Sequence, residues 1–215
     1  MSNNVPKRCD TLLRGIVVTM DPQRRVLLDG YVAVSGSKII DVGRGRDCDW
    51  AAGEVLGGAG HLVLPGLVNV HAHLVQGCIR GMAEGTTFEE RLFGFYYPMT
   101  GACDEARSYD SAMPPLLDLL RKGVTTTGDD HFTHVHKRSI DGVLRAVRDT
   151  GMRCRMARLT TNDANAVPEP FREDFAHPVR HPFVAAIPIS LILLAPAAVA
   201  LAGATPAATA AWWAG

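Results

Sequence analysis

The chain has 215 residues, with 22 basic and 22 acidic side chains and therefore no net charge. That balance leaves no basic footprint for nucleic acid or anionic lipid, while a hydrophobic content of 47% is enough to build a core. Met1 to Asp10 is polar and has no apolar h-region, and the five cysteines (Cys9, Cys48, Cys78, Cys103, Cys154) are odd in number, scattered and never spaced CxxC. These features predict reduced thiols in a cytoplasmic protein rather than a disulfide framework or a zinc knuckle.

Residues 1–60 predict a small antiparallel β module. Leu12 to Met20 is an apolar, β-branched strand, Asp21-Pro22-Gln23-Arg24 a turn, and Val26 to Leu28 resumes a strand. Tyr31 to Val34 and Ile39 to Val42 follow, separated by the hairpin turn Ser35-Gly36-Ser37-Lys38. From His61 the character changes. Leu67 to Leu74 is a nearly continuous apolar run, which predicts a strand covered on both faces as in a parallel sheet. Helices are predicted over Phe88 to Tyr97 and Leu116 to Lys122, with Pro114-Pro115 in the first turn of the second. Gly123 to Thr127 predicts a second buried strand. Ile140, Val143, Leu144 and Val147 mark a helix closed by Gly151, and Met152 to Leu159 a third strand. Strand, helix, strand, helix, strand is the opening of an α/β architecture.

His71 and His73 are two apart. Along a strand such side chains face the same way, and two neutral imidazoles on one face can grip one divalent metal. The spacing alone is not selective, because His134-Val135-His136 repeats it without comparable framing. Asp129, Asp130 and His131 lie just past the second predicted strand, where barrel loops reach a site. His131 is a candidate site-lining residue, with a cap on the turn into the next helix as its alternative; His134 and His136 are expected to be solvated.

The framing is more specific. Pro65-Gly66-Leu67-Val68-Asn69-Val70-His71-Ala72-His73-Leu74, then Gln76-Gly77 and Arg80-Gly81, resembles the first barrel strand and loop of the amidohydrolase superfamily. The branch it is most similar to holds atrazine chlorohydrolase, triazine hydrolases, and guanine, 8-oxoguanine and adenosine-type deaminases. Phe88 to Phe93, Tyr97-Pro98, Arg121 to Thr127 and Gly151 to Arg155 continue the resemblance, which spans roughly residues 10–172. It implies a β-sandwich segment over residues 1–60 and the first strands of a TIM-type (β/α)8 barrel over 61–175. It also implies a hydrolase in which one divalent metal, Zn or Fe, activates a water against a ring carbon carrying an amino or chloro group. In that scheme His71 and His73 are metal ligands, and Gln76 and Arg80 lie near the substrate end. The partner is a small N-heterocycle: a purine, pteridine, pyrimidine or triazine. The separate zinc deaminase class with HxE and PCxxC is excluded, since neither element is present.

The resemblance also requires two later histidines and an aspartate, and none is found in a strand-like setting beyond residue 172. A complete barrel takes about 250 residues, so three strands are expected here, with negligible catalysis by this chain alone. Residues 176–215 differ in kind: after Asp174 the only charge is Arg180, and alanine and proline dominate. Phe183 to Gly203 is long and apolar enough to span a bilayer, which offers a second reading, a non-catalytic membrane-associated remnant. A change of reading frame near Glu173 to His177 accounts for the same composition.

Overall fold

The structure, a computed structural model, describes residues 6–160, 169–171 and 185–188. The chain divides into two compact units between Gly66 and Leu67. The first holds β1 (Lys7–Val18), β2 (Val26–Ser35), β3 (Lys38–Arg44) and β4 (Trp50–Val63), arranged β3-β2-β1-β4 in one sheet. The two predicted strands on either side of Asp29-Gly30 are one continuous β2. The β1–β2 and β2–β3 pairs are antiparallel, but β1 and β4 are parallel, so the module is mixed rather than antiparallel. β4 carries the sheet past His61, with Leu62 opposite Ile16 and Val63 opposite Val17. Although β3 and β4 are the outer strands, Asp41 of β3 accepts from Trp50 Nε1 of β4 and from Tyr31 Oη of β2, both at 2.8 Å. The sheet therefore curls, and Cys9, Leu12, Tyr31 and Ala33 fill its inner side.

The second unit is built on a parallel sheet in the order β5 (Leu67–Asn69), β6 (Val124–His131), β7 (Arg153–Thr160) and β8 (Ala185–Pro188). The architecture is α/β. β8 is a fourth strand where the sequence predicted three. Its alanine-rich, uncharged stretch offers neither the alternation nor the β-branched enrichment that signals a strand. It also falls inside the apolar segment Phe183 to Gly203; the rest of that segment, and the residues near the predicted frame change, lie outside the described residues. No helix among the described residues is long and apolar enough to cross a membrane. All five cysteines are free thiols.

Two helices cover this sheet. α3 (Glu105–Arg121) is capped by Asp104, whose carboxylate accepts from Arg107 N at 2.9 Å. α4 (Ser139–Thr150) ends at Gly151, whose φ of 70° is the left-handed conformation a helix C-terminus favours. Leu116, Ile140, Val143 and Ala146 meet Leu74, Val75, Met152 and Met156 in one buried cluster. Each fully buried Leu, Ile or Val there is worth about 1.5–3 kcal/mol.

Two helix expectations need correction. Pro114 and Pro115 sit inside α3, not in its first turn. Proline at 115 has no N–H for the Ser111 carbonyl four residues back, and that carbonyl faces Gly77, where a Cβ would collide with it. The freed space is thus used by an incoming loop. The predicted helix from Phe88 is α1 (Phe88–Arg91), then a π-turn (Leu92–Tyr96), then α2 (Tyr97–Gly101). Tyr97 N–H bonds to Leu92 O, an i→i−5 link, beside Pro98, which has no N–H of its own to give.

Candidate metal centre

β5 is only three residues long, and His71 and His73 lie beyond its end. Leu67 and Val68 are 52% and 54% exposed, so this strand is not covered on both faces. Strand alternation therefore does not set the facing of His71 and His73. Their rings nevertheless come together, with centroids 4.8 Å apart in an edge-to-face arrangement.

What brings them together is the C-terminal end of β6. That strand runs to His131, so Asp129 and Asp130 lie within it rather than in a following loop. Its residues alternate, with Thr127, Asp129 and His131 buried on one face and Asp130 on the other. Asp130 Oδ2 lies 2.8 Å from His71 Nδ1. Asp130 N–H donates to Ala72 O at 2.8 Å, and Asp130 O lies 2.6 Å from His73 Nδ1. Asp129 Oδ1 accepts from Leu74 N at 2.6 Å. Asn69 adds Nδ2 to Thr127 Oγ1 at 3.3 Å. Four consecutive residues, His71 to Leu74, are thus tied to two consecutive aspartates.

The chain after His73 is fixed by α3. Residues Leu74–Ile79 form a tight 3-10 turn. Ser111 Oγ donates to Val75 O at 3.0 Å and accepts from Cys78 N at 2.9 Å. The ring of His73 rests edge-on against Phe132, 5.1 Å between centroids.

Electrostatics follow from burial. Desolvation lowers the pKa of His73 and favours the neutral imidazole, against the opposing hydrogen bond to Asp130 O. Burial pushes the Asp129 carboxyl up to about 7, and among the described residues its Oδ2 has no hydrogen-bond partner. His131 is fully buried, with Nε2 3.0 Å from Ser139 Oγ at the start of α4, and desolvation holds its pKa well below the usual value. His134, expected in solvent, is buried instead: Nε2 lies 3.0 Å from Leu159 O, and desolvation lowers its pKa to about 4. His136 is exposed.

A cavity of about 530 Å³ is lined by His73, Gln76, Arg80, Arg91, Tyr96 and Asp118, among others. It brings together three of the residues singled out in the sequence, but His71 and His131 are not among its lining residues. Arg80 pairs with Asp118 at 3.3 Å.

Two features bear on whether a metal fits. His73 Nδ1 is hydrogen-bonded to Asp130 O, His71 Nδ1 lies at ion-pair distance from Asp130 Oδ2, and among the described residues neither Nε2 has a hydrogen bond. That is the arrangement in which histidine serves as a metal ligand, one nitrogen oriented and the other lone pair free. The residues present therefore fit two donors of a metal site. Among the described residues no group of three or more metal-binding side chains converges.

The comparisons with known proteins agree with this framework. The 5-methylthioadenosine/S-adenosylhomocysteine deaminase of Nitratidesulfovibrio vulgaris (strain DP4) is 31% identical over 154 residues, 70% of this chain and 33% of its own. That of Bacillus cereus (strain AH820) is 32% identical over 149 residues, 69% of this chain and 34% of its own. The chain thus spans about a third of the length of these relatives. Among solved structures, a triazine hydrolase from Arthobacter aurescens superposes with a TM-score of 0.65 at 24% identity, covering 83% of this chain and 45% of that one. E. coli guanine deaminase gives 0.61 at 21% identity, covering 76% and 40%. These two likenesses show the fold alone. The amidohydrolase family profile matches residues 62–186, past Arg172, where the motif-by-motif resemblance stopped, and with it the chain belongs to the amidohydrolase family.

Proposed function

We propose that this chain supplies the metal-binding opening segment of a hydrolase that breaks a C–N bond of an aminated N-heterocycle. The observation that carries this reading is the pair of imidazoles at His71 and His73, each with Nδ1 against an oxygen of Asp130 and, among the described residues, no hydrogen bond at Nε2. When bound, a divalent ion, Zn²⁺ or Fe²⁺, supplies the Lewis acidity that makes a water nucleophilic near neutral pH. The residues of this chain hold and orient: His71 and His73 present two lone pairs, and burial of His73 keeps its ring neutral and ready to donate. Gln76 and Arg80 share a cavity with His73 and are the candidates for contacts at the substrate end. His131, locked to Ser139, has a structural part in this scheme. The deaminases match this chain in sequence, which favours an amino leaving group over chloride.

Metal titration of the purified 215-residue chain tests the assignment. One Zn²⁺ or Co²⁺ per chain is expected, with binding weakened in His71→Ala and in His73→Ala and abolished in the double variant. Equal binding by the double variant, or no binding by the wild type, overturns it.

A further inference from the structure

Residue 130 contacts three consecutive residues of the histidine segment in three chemically different ways. Its carboxylate meets His71 Nδ1, its N–H donates to Ala72 O, and its carbonyl meets His73 Nδ1. Both acceptor atoms are oxygens. A neutral ring facing an oxygen acceptor through Nδ1 must carry its proton there, so Nε2 keeps the lone pair. A neutral ring without such a partner is free to place the proton on Nε2, which leaves no lone pair there to donate.

We propose that Asp130 is the positioning residue for both histidines, fixing His71 by its side chain and His73 by its main chain. The two contacts differ in how they respond to substitution. Any residue at position 130 supplies a carbonyl, so His73 should keep its tautomer whatever side chain stands there. Only a side-chain acceptor can hold His71, so His71 alone should lose its orientation when the carboxylate is removed. The adjacent Asp129 cannot substitute: it lies on the opposite face of β6, with Oδ1 committed to Leu74 N. The consequence for metal binding rests on the reading of His71 and His73 as ligands; the tautomer assignment does not.

Ring 15N–1H correlation spectra of the metal-free full chain at alkaline pH separate the two. In the wild type, both His71 and His73 should show the Nδ1–H pattern. The ring signals of His134, whose Nε2 lies 3.0 Å from the Leu159 carbonyl, serve as an internal reference for a folded second unit whichever tautomer they show. In Asp130→Ala, His71 should shift toward Nε2–H while His73 and His134 stay as they were. Asp130→Leu, of nearer volume, should give the same result and replaces the alanine variant if that one does not fold. A second arm measures Zn²⁺ affinity, expected to fall about 10- to 100-fold in either variant. An unchanged His71 tautomer in a folded variant overturns the proposal, as does a His73 that changes together with His71. A wild type that shows both tautomers as assigned but binds no metal overturns the metal reading while leaving the tautomer assignment standing.

Discussion

Asp41 accepts one hydrogen bond from a tyrosine hydroxyl and one from an indole N–H, and those two bonds join three of the four strands of the first unit. The bonds from Trp50 and Tyr31 hold its carboxyl below the ordinary value of 3.8. Tyr31 responds in the opposite sense, pushed up to about 12 by burial and by the carboxylate beside it. A depressed carboxylate contributes stability that is complete above the unfolded value and is lost as pH falls through the folded one. Asp41→Ala strands a buried hydroxyl and an indole N–H, at a cost of about 1–3 kcal/mol. Urea unfolding followed by circular dichroism at neutral pH should show that loss. Below about pH 3.8 the gap between variant and wild type should narrow; a gap that stays constant down to acid pH would show that the charge contributes nothing. Sequence could not single out Asp41, because its partners lie nine and ten residues away on different strands. His71 and His73 were legible through their framing, and Asp130 only as a position near the site.

At the scale of elements, the turn Leu74–Ile79 and the proline-bearing stretch of α3 are fitted to each other. Pro115 removes the N–H that would occupy the Ser111 carbonyl, and Gly77 lets the loop backbone approach that carbonyl. Ser111 then clamps the loop with its hydroxyl. Gly77→Ala forces a Cβ into the Ser111 carbonyl and within 2.9 Å of Pro115 Cδ. Overpacking of this kind costs about 1–3 kcal/mol. Because the loop begins at His73, the variant should also weaken Zn²⁺ binding, whereas a surface change such as Lys137→Ala should move neither quantity. Thermal unfolding together with metal titration checks both effects. The sequence was misleading here for a definite reason. Prolines were placed by their intrinsic cost, while the compensation comes from Gly77 and Ser111, far off in the chain or outside any local pattern. The strand through the histidines was overextended for a related reason: apolar continuity marks burial potential, and the ladder in fact ends at Asn69. α4 was legible because its apolar period and its Gly151 cap lie within one local window.

At the scale of the whole molecule, four parallel strands of the second unit stand in sequence order, and the family match covers the first three and the start of the fourth. A barrel of this type has eight strands, and its chemistry is assembled from the ends of several. Among the described residues, this chain contributes two imidazoles and two nearby carboxylates that are already engaged. Asp130 faces His71, and Asp129 is buried against Leu74 N. A general base must reach the proton it removes, within about 2.6–3.2 Å or through one water. Asp129, with Oδ2 buried and on the face of β6 away from His71, is not placed to do so. Two imidazoles can bind a metal without making a competent hydrolase, so binding and turnover should separate in this chain. The metal-loaded protein is expected to release no ammonia from aminated purines, pyrimidines, pteridines or triazines above the rate of the metal salt alone. A coupled ammonia assay over that panel reads the result. Turnover that depends on metal and disappears in the His71→Ala/His73→Ala variant would mean that the remaining donors and the base come from residues 161–168, 172–184 or 189–215, or from a second copy of the chain. Concentration dependence of the rate would separate those sources: a rate per chain that rises with protein concentration points to a shared site, and a constant one to donors within a single chain.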